Sequence, residues 1–185
     1  MNNGLCGIDE AGRGPIAGDL VMAGCILRSN IQGLNDSKKL TAKKREALYE
    51  LIVQHAQYHV VKFSAAEIDE KGISSCLACG LRDIMRNLQA DEYLFDGNTT
   101  FGVPGLSTMI KADTKVAEVS AASILAKVTH DRDIIRMAEK YPQYEFEKHK
   151  GYGTPRHVEM IRKYGYCEIH RRSYKLKALE ATLFS

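Results

Sequence analysis

The chain has 185 residues, 44% of them apolar and 26% charged, with 15 Gly, 4 Pro and a net charge of +3. That length and balance suit one compact domain spanning residues 1–185 and exclude collagen-like, low-complexity and wholly disordered chains. No apolar run approaches the roughly 20 residues of a membrane-spanning helix, and MNNGLCGIDE offers no basic segment followed by an apolar one, so a cytoplasmic chain is expected.

In chain order, Leu5 to Ile8 reads as a strand running into Asp9 and Glu10, and the apolar segment DLVMAGCIL at 19–27 reads as its hairpin-like partner. After the polar connection DSKKL at 36–40, Thr41 caps a helix whose period holds to about Gln57. HVVKFS at 59–64 alternates as a third strand, and a helical segment follows at 65–88, interrupted near Gly72. Tyr93, Leu94 and Phe95 form a short strand ending at Asp96-Gly97-Asn98, and residues 108–111 are a fifth strand running into Ala112 and Asp113. Residues 116–141 give the strongest helical pattern, with small residues on one face and Pro142 as its stop. Gly151 to Pro155 forms a turn that starts a helix, and a last helix is expected at about 173–183. This order is mixed α/β, with residues 142–185 expected as a helical C-terminal lobe.

The charge is unevenly spread: residues 1–126 carry 13 Lys/Arg against 15 Asp/Glu, and residues 127–185 carry 13 against 8. A basic C-terminal third suits a polyanionic partner, although a solvated helix face has the same composition. Five cysteines, an odd number, describe no disulfide framework. Cys76-Leu-Ala-Cys79 has CxxC spacing but lies inside a helical pattern with no second ligand pair, so it reads as two half-buried thiols.

Asp9 with Glu10, then Asp96, then Asp113 stand where apolar segments end. Carboxylates converging there repel one another unless a cation neutralises them. An all-oxygen donor set points to magnesium or manganese rather than zinc. Gly12-Arg13-Gly14 lies beside them: the glycines allow close backbone approach and the guanidinium suits phosphate. The loop matches neither a Walker A nor a dinucleotide fingerprint.

With these residues in view, GIDEAGRGP at 7–15 resembles the N-terminal signature of type 2 ribonuclease H, the ribonuclease HII family. Four further blocks resemble it in order: DSKKL at 36–40, DGN at 96–98, the stretch from Lys111 to Asp113 with VSAASILAKVTHD at 119–131, and HKGYGT at 149–154 with His157 and HRRS at 170–173. The resemblance spans about residues 5–174. It implies a ribonuclease H-like five-stranded sheet flanked by helices, and a metal-binding, catalytic set of Asp9, Glu10, Asp96 and Asp113. It implies that Gly12, Arg13 and Gly14 read the 2′-hydroxyl of a target ribonucleotide, that Tyr152 stacks on the neighbouring deoxyribose, and that Lys38 and Lys39 contact phosphate. Asp19 departs from a stretch usually apolar or proline-containing in that family.

The implied activity is hydrolysis of the RNA strand of RNA–DNA hybrids and cleavage 5′ of single ribonucleotides in duplex DNA, as in ribonucleotide excision repair. Two ions, Mn2+ or Mg2+, would leave 5′-phosphate and 3′-hydroxyl ends, with Asp9 the expected bridging carboxylate. A non-catalytic binding module would not keep four repelling carboxylates, and a DNA strand-transfer enzyme would not need a loop and tyrosine suited to a ribose–deoxyribose junction. His149, His157 and His170 are either phosphate contacts or packed side chains, while Lys127 and Arg132 are candidates to line the cleft. A monomer is expected. Glu180 to Phe184 faintly resembles tails that dock on a sliding clamp, although packing of Leu183 and Phe184 on the body is the plainer reading.

Overall fold

A computed structural model describes residues 4–34 and 39–175. Strands β1 (Leu5–Ala11), β2 (Leu20–Leu27), β3 (Ala56–Phe63), β4 (Glu92–Asp96) and β5 (Ser107–Met109) form one mixed sheet in the order β3-β2-β1-β4-β5. β1–β2 and β2–β3 are antiparallel, whereas β1–β4 and β4–β5 are parallel. The shared direction of β1, β4 and β5 brings their carboxyl ends to one edge of the sheet, where open α/β sheets place ligands.

The helices are α1 (Ala42–His55), α2 (Ala65–Lys71), α3 (Ile73–Asn87), α4 (Ala117–Lys140), α5 (Phe146–His149) and α6 (Pro155–Tyr164). They explain why β2 is apolar almost without interruption. Leu20, Met22 and Ile26 pack with Leu77, Leu81 and Ile84 of α3, while Val21, Ala23 and Cys25 pack with Ile52 of α1 and Ala121, Ala122 and Leu125 of α4. Successive strand residues point to opposite faces, and both faces are covered. The small-residue face of α4 meets β1 backbone to backbone: a Cβ on Gly7 would stand 2.3 Å from the Glu118 carbonyl carbon and the Val119 nitrogen.

Local chemistry sets the helix starts. Thr41 accepts the Lys44 N–H, Ser64 and Glu67 form a reciprocal capping box, and Thr154 accepts the His157 N–H with Pro155 in the first turn. A third apolar cluster, with Ile16, Ala17, Ile134, Tyr144, Phe146, Met160 and Ile161, joins α4, α5 and α6 to the segment between β1 and β2.

The mixed five-stranded architecture is as the sequence predicts, and several boundaries differ. α1 stops at His55 because Ala56 turns extended and pairs with Leu27, so β3 begins three residues earlier than its alternating pattern. β5 ends at Met109 because Lys111 takes a left-handed conformation (φ 58°) and gives its N–H to Asp96. No helix starts at Ser173, whose N–H and hydroxyl are both held by Asp69; the rest of the expected last helix lies outside the described residues. All five cysteines are free, and the CxxC pair divides: Cys76 is buried and Cys79 exposed. Among the described residues no helix is long and apolar enough to cross a membrane.

Candidate active site

Asp9 sits near the carboxyl end of β1, buried, with its Oδ1 accepting the Glu10 N–H at 2.8 Å. Asp96 is the last residue of β4 and builds the next part of the site itself. Its Oδ1 accepts the Lys111 N–H at 3.0 Å and its Oδ2 the Asp113 N–H at 3.2 Å. Those two bonds fold the turn after β5 over the edge of the sheet and bring in the buried Asp113 from a short 3-10 turn (Ala112–Thr114). Carboxylate oxygens of Asp9, Asp96 and Asp113 then lie within 4.8 Å of one another. Glu10 stands outside that group of three, although it lines the same cleft as Asp9 and Asp96.

The electrostatics of this group are unfavourable without a counter-charge. Burial first, and then the Glu10 charge, push the Asp9 carboxyl well above the usual carboxylate range; a hydrogen bond from Ser123 opposes the shift and Asp96 adds to it. Glu10 is also pushed up, chiefly by burial, with the Arg13 guanidinium 3.8 Å from its Oε1 working the other way. Its Oε2 is buried with no hydrogen-bond partner. Buried, mutually repelling oxygen donors of this kind fit a hard divalent cation, and the absence of His or Cys from the group does not suit zinc.

The cleft has a volume of about 410 Å³ and is lined by residues 9–14, Asp96, Ser123, Lys127 and Tyr152. Gly12, Arg13 and Gly14 therefore flank the acidic group, as the sequence predicts. Gly12 has φ 85°, and a Cβ there would meet the Asp19 carbonyl oxygen at 2.4 Å and the His130 ring at 2.6 Å, so the loop closes only with glycine. Gly14 faces Tyr152, whose ring carbon would be 3.6 Å from an added Cβ. Tyr152 itself is 46% exposed, an available ring beside the loop.

Other candidates are placed differently. Lys39 is exposed and does not line the cleft, and Lys38 lies outside the described residues. Lys127 lines the cleft and pairs with Asp131 at 2.8 Å. Arg132 turns away to Glu46 and Glu50 and stacks over Tyr49. His149, His157 and His170 are packed side chains: all three are buried, with the rings of His149 and His157 stacked at 4.2 Å. Two residues escaped the sequence reading. Ser123, which bonds Asp9, had a signal in its place one turn before Lys127 on the α4 face. Arg171, buried behind the glycine loop, stands in the HRRS block, which carries no hint of its partners.

With this geometry, the comparisons are consistent. The sequence model of the family described as Ribonuclease HII matches residues 6–177. A ribonuclease HII of Sulfurovum sp. (strain NBC37-1) is 65% identical over 97% of this chain and 96% of its own. Two solved structures are each 30% identical with TM-scores of 0.81. One is the PCNA:RNase HII complex from Archaeoglobus fulgidus, covering 94% of this chain and 96% of that one. The other is ribonuclease H2 from Pyrococcus horikoshii OT3, covering 97% and 98%.

Proposed function

Because the chain belongs to the ribonuclease HII family, metal-dependent endoribonucleases that cleave the RNA of RNA–DNA hybrids, we propose that it also cuts 5′ of single ribonucleotides embedded in duplex DNA. In this reading Asp9, Glu10, Asp96 and Asp113 hold two divalent cations, Mg2+ or Mn2+, and the products carry 5′-phosphate and 3′-hydroxyl ends. The observation that carries it is the convergence of Asp9, Asp96 and Asp113 at the side of a cleft that Asp9 and Asp96 line together with Gly12 to Gly14 and Tyr152. When bound, such ions supply charge neutralisation at the phosphoryl group and activation of the attacking water.

The chain's own residues do the rest. Ser123 and the Glu10 N–H orient the Asp9 carboxylate, and Asp96 fixes the turn that carries Asp113. Backbone groups of Gly12 to Gly14 take the 2′-hydroxyl, the one group DNA lacks, while Arg13 meets phosphate. The exposed ring of Tyr152 stacks on the deoxyribose beyond it. Lys127 at the wall of the cleft, and Lys38 and Lys39 before α1, contact the backbone of the duplex. The chain acts as one catalytic domain, monomeric and cytoplasmic.

The test is cleavage of a DNA duplex with one ribonucleotide, beside an all-DNA control, with the ends of the products mapped. Cutting 5′ of the ribonucleotide with magnesium or manganese is expected; an intact duplex ends the reading. A second reading concerns the tail. The Archaeoglobus fulgidus relative was solved in a complex with PCNA, which supports docking of residues 180–184, outside the described residues, on a sliding clamp. Clamp binding unchanged by deletion of residues 183–185 would exclude it.

A further inference from the structure

Arg171 is the largest fully buried side chain among the described residues, 1% exposed, and its five N–H groups go to backbone carbonyls and one hydroxyl. Nε donates to the Gly18 carbonyl at 3.0 Å, and Nη2 donates to Gly18 at 2.8 Å and Gly12 at 2.6 Å. Nη1 donates to the Arg13 carbonyl at 3.3 Å and to the Tyr174 hydroxyl at 3.1 Å, and that hydroxyl itself donates to Arg13 at 2.8 Å. Every donor of a rigid planar fork is thus spent on one loop or on the tyrosine that braces it.

A buried cation whose hydrogen bonds all go to dipoles is costly, the Asp19 and Asp69 charges offset only part of that cost, and the carbonyls it gathers would otherwise repel one another. A trans peptide points its N–H opposite to its C=O. Turning the Gly12 and Arg13 carbonyls toward the guanidinium therefore turns the Arg13 and Gly14 N–H groups away from it. Among the described residues no backbone carbonyl accepts from either of those N–H groups.

We propose that Arg171, braced by Tyr174, is the positioning residue that sets ribose selectivity, by holding the 12–14 loop with its N–H groups free for a 2′-hydroxyl. This rests on the reading of that loop given above. Arg171 touches no substrate and acts through the loop alone.

The test compares Arg171→Lys, which keeps the charge but loses the fork, and Tyr174→Phe with the unaltered chain. Affinities are measured by fluorescence anisotropy, in EDTA, for a DNA duplex containing one ribonucleotide and for an all-DNA duplex. The ratio of the two affinities is expected to fall about tenfold in Arg171→Lys, the equivalent of one to two mis-set hydrogen bonds, with all-DNA affinity nearly unchanged. Tyr174→Phe, at a half-buried position that tolerates the loss of a hydroxyl, should lower the ratio less. It keeps the test open if Arg171→Lys fails to fold. An unaltered ratio in a folded variant overturns the proposal while leaving the loop reading intact. Equal affinity of the unaltered chain for both duplexes overturns the loop reading, and the proposal with it. A purely structural arginine would weaken both affinities together, which also refutes the proposal.

Discussion

Lowering the pH from 7 to 5 should destabilise this fold through the histidines packed behind Tyr152. His157 Nδ1 faces the Tyr152 carbonyl at 2.9 Å and so carries its proton there, which leaves Nε2 as an acceptor. His170 Nδ1 takes the Cys167 N–H at 2.9 Å, so its Nε2 carries the proton and donates to His157 Nε2 at 3.0 Å. Each ring is neutral with both nitrogens used, and an added proton breaks a buried bond. His149 stacks on His157, Arg172 adds a like charge near His170, and Tyr144 and Phe146 close the space. Burial, reinforced by these neighbours, pushes His157 and His170 down to about 4. A folded pKa below the unfolded value contributes stability that is present above the unfolded pKa, about 6.5, and is lost as pH falls toward 4. Between pH 7 and 5 the loss comes to about 2 kcal/mol for each histidine. Urea unfolding at both pH values, on the unaltered chain and on His170→Asn, measures it. The pH-dependent drop should be smaller by about 2 kcal/mol in the variant; an identical drop in both would refute the neutral-stack argument. The comparison between chains matters because the raised Asp9 and Glu10 carboxyls act in the opposite direction, taking up protons in the folded state first.

Asp9→Asn and Asp113→Asn should each lower kcat by about a hundredfold or more in a hybrid-cleavage assay. Asp9→Asn should also raise Tm in metal-free buffer, since the charge it deletes is repelled where it lies; a lowered Tm would contradict the raised carboxyl. Tyr152→Ala should lose about tenfold more kcat/KM on a single embedded ribonucleotide than on a continuous RNA strand, because only the former always offers a deoxyribose beyond the target; equal losses would make the ring a packing element. Gly7→Ala should cost stability at the upper end of about 1–3 kcal/mol, read by chemical denaturation, since its Cβ would meet backbone rather than a movable side chain.

Much of this was legible in the sequence because it depends on neighbours in the chain. Thr41, Thr154 and Pro142 mark helix ends through bonds or clashes within four residues, and the apolar run of β2 reports a strand covered on both faces. The acidic positions were legible as strand ends, and the resemblance to ribonuclease HII supplied their grouping. What stayed hidden depends on long-range backbone contacts. Arg171 binds carbonyls 153 to 159 positions away, and carbonyls have no signature in a sequence. His157 and His170 meet across 13 positions, a spacing that fits no helix or strand period. The resemblance implies Glu10 as a fourth member of the set; it lines the same cleft as Asp9 and Asp96 but lies outside the close group of three, because consecutive strand residues point to opposite faces.

The pair of N–H bonds accepted by Asp96 makes the acidic site hierarchical. Asp113 owes its location to a bond from its own backbone to another member of the group, so the second carboxylate scaffolds the third. Asparagine at position 96 would set an amide NH2 against an N–H that had an oxygen facing it, and the turn carrying Asp113 would lose one of its two anchors. Charge deletions around this cleft are therefore unequal experiments. At Asp9 or Asp113 they subtract a donor, whereas at Asp96 they also dismantle the mount of the next one. Double-mutant cycles pairing positions 96 and 113 should accordingly be strongly non-additive.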